Sequence, residues 1–130
     1  MPNQVEVGAH FSTLFETLSD EEKTLIEDFV FHFEAQGLKT FIGKKSPSDN
    51  VPITDPSRAV KIAYAKKHQL WHVHIGYPKW NASRNPAGAY QTSNYVVHFQ
   101  RFNENHIALI DYGSHNPMGL PQKSYLFRQR

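Results

Sequence analysis

A chain of 130 residues, 39% hydrophobic and 13% aromatic, suits one compact domain with one core and is too aromatic for a disordered chain. The formal charge is only +2, with eight histidines close to their titration range, which permits a nucleic-acid partner without demanding one. With no cysteine, disulfides and thiolate metal sites are excluded, and no leader or membrane-spanning run is visible, so a soluble cytoplasmic protein is expected.

Val5 and Val7 alternate, then Phe11, Leu14, Phe15 and Leu18 cluster, which predicts a short first strand running towards a helix. Ser19-Asp20-Glu21-Glu22 is a capping box that opens a second helical stretch. Leu25, Ile26, Phe29, Val30 and Phe33 recur at helical spacing to about Gln36, where Gly37 supplies the cap. That face is core, and the opposite face is acidic.

Lys39 to Pro56 reads as a loop carrying Lys44-Lys45 as a basic arm. Ser57 to His68 fits a helix with Ala59, Ile62 and Ala63 inward. A strand over Ala59 to Ala65 competes, because Val60, Ile62 and Tyr64 also alternate. Leu70 to Tyr77 is a strand whose sides differ in chemistry: Trp71, Val73 and Ile75 on one, His72 and His74 on the other. After a long connection over Pro78 to Ser93, strands near Asn94 to Phe102 and His106 to Tyr112 form a hairpin about Asn103-Glu104-Asn105. The tail ends in Tyr125-Leu126-Phe127, which suits an edge strand or a docking segment.

Imidazoles seldom share the buried face of a strand unless something meets their ring nitrogens. A metal ion is one option, with His98, His106 or Asp111 completing the set, although no finished zinc spacing is present. Acid-base cleavage of RNA is the other. A base takes the 2′-OH proton, the oxygen attacks the adjacent phosphate, and an acid protonates the departing 5′ oxygen while cations stabilise the developing charge. Histidine titrates in the range for either transfer, and cations dominate beyond residue 38. His98 alternates away from Tyr95, Val97 and Phe99, so it shares a face with His72 and His74 if the aromatic side packs on the helix. Trp80 is a candidate for stacking on a base, or a loop aromatic covering the core margin. His10, His32 and His68 have no constellation around them in the sequence.

From Phe11 to Met118 the motifs follow a known order. Leu18-Ser19-x-Glu21-Glu22 opening an amphipathic helix comes first, then Gly37 and Phe41-Ile42-Gly43-Lys44, then Trp71-His72-Val73-His74-Ile75. Tyr95 to Phe99, His106 to Tyr112 and Asn116-Pro117-Met118 complete it. The chain resembles the YafO-type toxins of bacterial toxin-antitoxin modules, within the RelE/ParE-like group.

The resemblance implies a single α+β domain over residues 1–130, a curved antiparallel sheet with N-terminal helices packed on one face and an open face gripping mRNA. It also implies a metal-free endoribonuclease that cuts messages on the ribosome, needs no cofactor and is held inactive by a cognate antitoxin. His72 and His74 match the family's paired histidines of the central strand, while His115 and Lys123 match by location only. The tail from Met118 to Arg130 is shorter than the family's terminal helix.

The expectation is therefore an mRNA endonuclease with His72, His74, His98, Tyr112 and His115 at the chemistry. Lys44, Lys45, Arg58, Lys61, Lys79, Arg84, Arg101 and Lys123 are expected to hold RNA. A non-catalytic RNA- or protein-binding module on the same basic face is the rival, and a histidine-metal enzyme is a third reading.

Overall fold

The computed structural model describes residues 3–38, 40–49, 51–81, 91–114 and 120–127. In chain order the elements are β1 (Gln4–Val7), α1 (Ala9–Phe15), α2 (Asp20–Gln36), β2 (Lys45–Pro47), α3 (Arg58–Lys67), β3 (Leu70–His74), β4 (Tyr95–Asn103), β5 (His106–Ser114) and a 3-10 turn at Lys123–Tyr125. The strands form one sheet in the order β1-β5-β4-β3-β2, giving an α+β domain.

The predicted helix start is present in full. Ser19 Oγ accepts the Glu22 amide at 3.2 Å, and the Glu22 carboxylate accepts the Ser19 amide at 3.1 Å. At the other end Gly37 adopts φ +78°, a conformation that favours glycine, and its amide reaches the Phe33 carbonyl at 2.8 Å. Between these caps Ile26, Phe29 and Phe33 bury against Val73, Val97, Phe99, Ile107 and Leu109. Each side chain of this size removed from water contributes about 1.5–3 kcal/mol. Phe11 of α1 joins the same core, so α1 and α2 cover one face of the sheet.

Three features depart from the expectation. The sheet is mixed rather than antiparallel, because β1 runs parallel to β5, with Val5 opposite Ile107. The stretch read as a loop contains β2, whose Ser46 lies opposite His72. Pro47 is tolerated there because β2 is an edge strand and its missing N–H interrupts no ladder.

The third departure concerns the face expected to be open. α3 is a helix, and it packs on the histidine side, where Ala65, Leu70, Ile110 and Leu126 form a second buried cluster. Ala59 and Ala63 point to solvent while Ala65 is buried. The connection to β3 is only His68 and Gln69, so the last turn of α3 decides which side faces the sheet. The C-terminal segment docks beside it. Tyr64 Oη donates to the Pro121 carbonyl at 2.7 Å, and the Phe127 amide donates to Gln100 Oε1 at 2.8 Å.

Candidate functional site

Strand alternation and register bring three of the predicted site residues together. Trp71 and Val73 turn towards α2, and His72 and His74 turn away. His98 of β4 lies directly opposite His72. Ring centroids are 6.1 Å apart for His72 and His74 and 6.3 Å apart for His72 and His98.

These imidazoles are buried, with relative exposures of 5% for His72 and 4% each for His74 and His98. His72 is held at both nitrogens, with Ser48 Oγ 3.0 Å from Nδ1 and Ser46 Oγ 3.3 Å from Nε2. His74 Nδ1 lies 2.7 Å from the Ser93 carbonyl oxygen and 3.0 Å from the Ser93 amide. The tautomer decides which bond forms: a protonated Nδ1 donates to the carbonyl, and a bare one accepts from the amide. Such partners immobilise a ring and fix its proton, which suits a scaffold better than a shuttle.

Of the third-ligand candidates for a metal only His98 lies beside the pair. His106 sits at the hairpin end, with Nε2 3.5 Å from Glu6 Oε2, and Asp111 is engaged elsewhere. Among the described residues no group of three His, Asp or Glu side chains is arranged to hold a metal ion.

Tyr112 belongs to the opposite face. It pairs with Val97, stacks near Tyr95 at 5.5 Å, and donates its hydroxyl to Glu22 at 2.9 Å. Arg101 is on that side too, its guanidinium 4.6 Å from the Trp71 ring. Strand parity alone assigns Arg101 to the Tyr95, Val97 and Phe99 side, so its grouping with His98 conflicts with the alternation that placed His98. Tyr112 needed the cross-strand register.

Several of the remaining cations in the described residues are engaged by contacts of their own. Lys45 is half-buried, donates to the Phe41 carbonyl at 3.0 Å, and is pushed down by burial to about 8. Lys61 pairs with Asp55, and Arg58 Nε donates to the Val51 carbonyl at 3.1 Å. Lys44, Lys79 and Lys123 are exposed. Trp80 packs edge-on to Phe41 with centroids 6.4 Å apart, covering the core margin. His115 and Arg84 lie outside the described residues, as does Asn116-Pro117-Met118.

One constellation escapes the sequence. His10 Nε2 lies 3.3 Å from Asp111 Oδ1, and the two side chains keep 30% and 23% of their exposure. Asp111 is the residue opposite His98, at a bulge where Ile110 is inserted between the paired positions Leu109 and Asp111. Its Oδ1 also accepts the Tyr112 amide at 2.9 Å. The His10 ring stacks on Tyr125, with centroids 3.5 Å apart and planes within 5°. A carboxylate on Nε2 favours the Nε2–H tautomer and leaves Nδ1 to accept a proton. No sequence signal joins these residues, which are separated by 101 positions.

Neither a protein-family model, nor a curated protein, nor a solved structure matches the chain. The likeness to YafO-type toxins therefore rests on the order of its motifs alone.

Proposed function

We propose that this chain is the toxin of a bacterial toxin-antitoxin module, a metal-independent endoribonuclease that cuts mRNA on the ribosome in the cytoplasm. The observation that carries the reading is the partly exposed His10–Asp111 pair beside the histidine-bearing face. His10 takes the 2′-OH proton at Nδ1 while Asp111 holds Nε2–H. The 2′ oxygen then attacks the phosphorus, and the 5′ oxygen leaves as it takes a proton from water, which reaches this partly exposed site. The products are a 2′,3′-cyclic phosphate and a 5′-OH end. α1 packs against the 3-10 turn, which puts Lys123 at the same end of the molecule, a cation suited to phosphate. In this reading His72 and His74 support the sheet beneath the site, and a cognate antitoxin is the partner that silences it.

The test is induction of the full chain in a bacterium, with growth, mRNA integrity and RNA end chemistry followed together. Growth arrest with new 5′-OH ends, lost in His10→Ala and retained under chelation, is the expected result. Arrest without cleavage, or cleavage undiminished in His10→Ala and Asp111→Asn, would overturn it.

The burial and bonding of His72 and His74 favour a second reading, a non-catalytic module that binds RNA or protein. Its signature is retention of a reporter RNA in lysate containing ribosomes, with no new ends.

A further inference from the structure

The side of the sheet opposite His72, His74 and His98 carries an apolar groove of about 380 Å³ between α1 and α2. That volume lies in the range of about 300–1,000 Å³ typical of ligand and side-chain pockets. Phe11 and Phe15 form one wall, Ile26 and Val30 the other, and Leu109 of β5 closes the floor. At its mouth Phe31 remains 64% exposed and Val7 45% exposed. A large aromatic side chain left in water beside an apolar groove gains most when a second surface covers it.

Charge selects among possible occupants. Glu16 and Glu27 stand on the groove itself. On the helix surface Glu27, Asp28 and Glu34 lie four and three positions before and three after Phe31, so carboxylates frame the exposed ring. Lys23, with Nζ 5.8 Å from the Phe15 ring centroid, is the cation on α2. Nucleic acid and anionic lipid are repelled by such a rim, and so is the same face of a second copy.

We infer that the α1/α2 groove docks an amphipathic segment of another protein, whose apolar side chains enter the groove while flanking Lys or Arg residues meet Glu16, Glu27 and Glu34. The inference is independent of RNA cleavage, because its readout is binding and the residues varied, Glu16, Glu27 and Phe31, lie outside the His10–Asp111 pair, although α1 carries both His10 and the Phe11 and Phe15 wall.

The experiment pans a random-peptide phage library against the full chain, with Phe31→Asp and the Glu16→Lys/Glu27→Lys double variant as counter-targets. Phe31 is exposed, so its replacement leaves the core intact, which circular dichroism checks. The expected outcome is enrichment of peptides that combine apolar residues with Lys or Arg. The synthetic consensus peptide should lose about tenfold or more in affinity on Phe31→Asp, weaken with salt, and weaken again on charge reversal. Enrichment of acidic peptides, or no peptide that discriminates the wild-type chain from both variants, overturns the inference. So does concentration-dependent self-association abolished by Phe31→Asp, which would make a second copy the occupant.

Discussion

The Tyr112 hydroxyl donates to the Glu22 carboxylate at 2.9 Å, which ties β5 to the capped first turn of α2. Both groups titrate away from their ordinary values. Burial alone would raise the Glu22 carboxyl, but the Ser19 amide, the Tyr112 hydroxyl and the Ser19 hydroxyl outweigh it and hold the group lower. Burial first, and the Glu22 contact next, push Tyr112 up.

The sign of each effect on stability follows from where the proton is held more tightly. The Glu22 contribution is complete above its ordinary 4.5 and fades as pH falls through the lowered folded value. The Tyr112 contribution is complete below its ordinary 10.0 and fades as pH rises beyond it. Tyr112→Phe should cost about 0.5–1.5 kcal/mol near neutrality and flatten the alkaline limb. Urea denaturation across pH measures both; an unchanged alkaline limb would assign that loss of stability to a group other than Tyr112.

Lys45 has the opposite sense. Its charged form is disfavoured by burial in the fold, so the unfolded chain binds the proton more tightly, and stability rises as pH goes from about 8 towards 10.5. Lys45→Met keeps most of the apolar stem and should remove that rise. Denaturation midpoints at intervals through this window decide it, and a rise that survives the substitution would assign it to another group.

Gly43 lies against the His74 carbonyl, and a Cβ there would collide with that backbone oxygen. The oxygen is backbone at the last residue of β3, whose amide is bonded to the Lys44 carbonyl at 3.0 Å, so it cannot move aside as a flexible side chain would. Gly43→Ala should destabilise by about 1–3 kcal/mol. Thermal unfolding close to that of the unsubstituted chain would mean that the 43–45 segment shifts freely on the sheet edge.

Gln100, buried in β4, joins three parts of the chain. Its Nε2 donates to the His68 carbonyl at 3.1 Å while its Oε1 accepts the Phe127 amide at 2.8 Å. Gln100→Leu keeps the volume and removes both bonds, at a cost of about 1–3 kcal/mol. Hydrogen exchange at the Phe127 amide should accelerate more than exchange in α2. Equal protection in both proteins would show that Leu126 burial alone seats the tail.

His72 and His10 should separate by kind of defect. His72→Ala removes contacts to Ser46 and Ser48 at a buried position and should lower stability by about 1–3 kcal/mol. His10→Ala acts at a partly exposed position and should leave the unfolding midpoint nearly unchanged while abolishing growth arrest. Equal unfolding midpoints for the two variants would contradict the structural role given to His72.

Local rules read directly from the residues account for much of the fold. The capping box, the end of α2 at Gly37, the hairpin between β4 and β5 and the opposed sides of Trp71 and His72 each depend on a few neighbouring residues, whose sterics and hydrogen bonding operate within a turn or along a strand. What covers the histidine face depends on contacts between distant segments. Ala65, Leu70, Ile110 and Leu126 meet only once α3 and the tail fold back over the sheet, and that closure buries the histidines that alternation had left facing outward. The parallel pairing of β1 with β5 and the His10–Asp111 contact are decided in the same way. Periodicity specifies which residues share a side; only tertiary packing determines whether that side meets water or another layer of the protein.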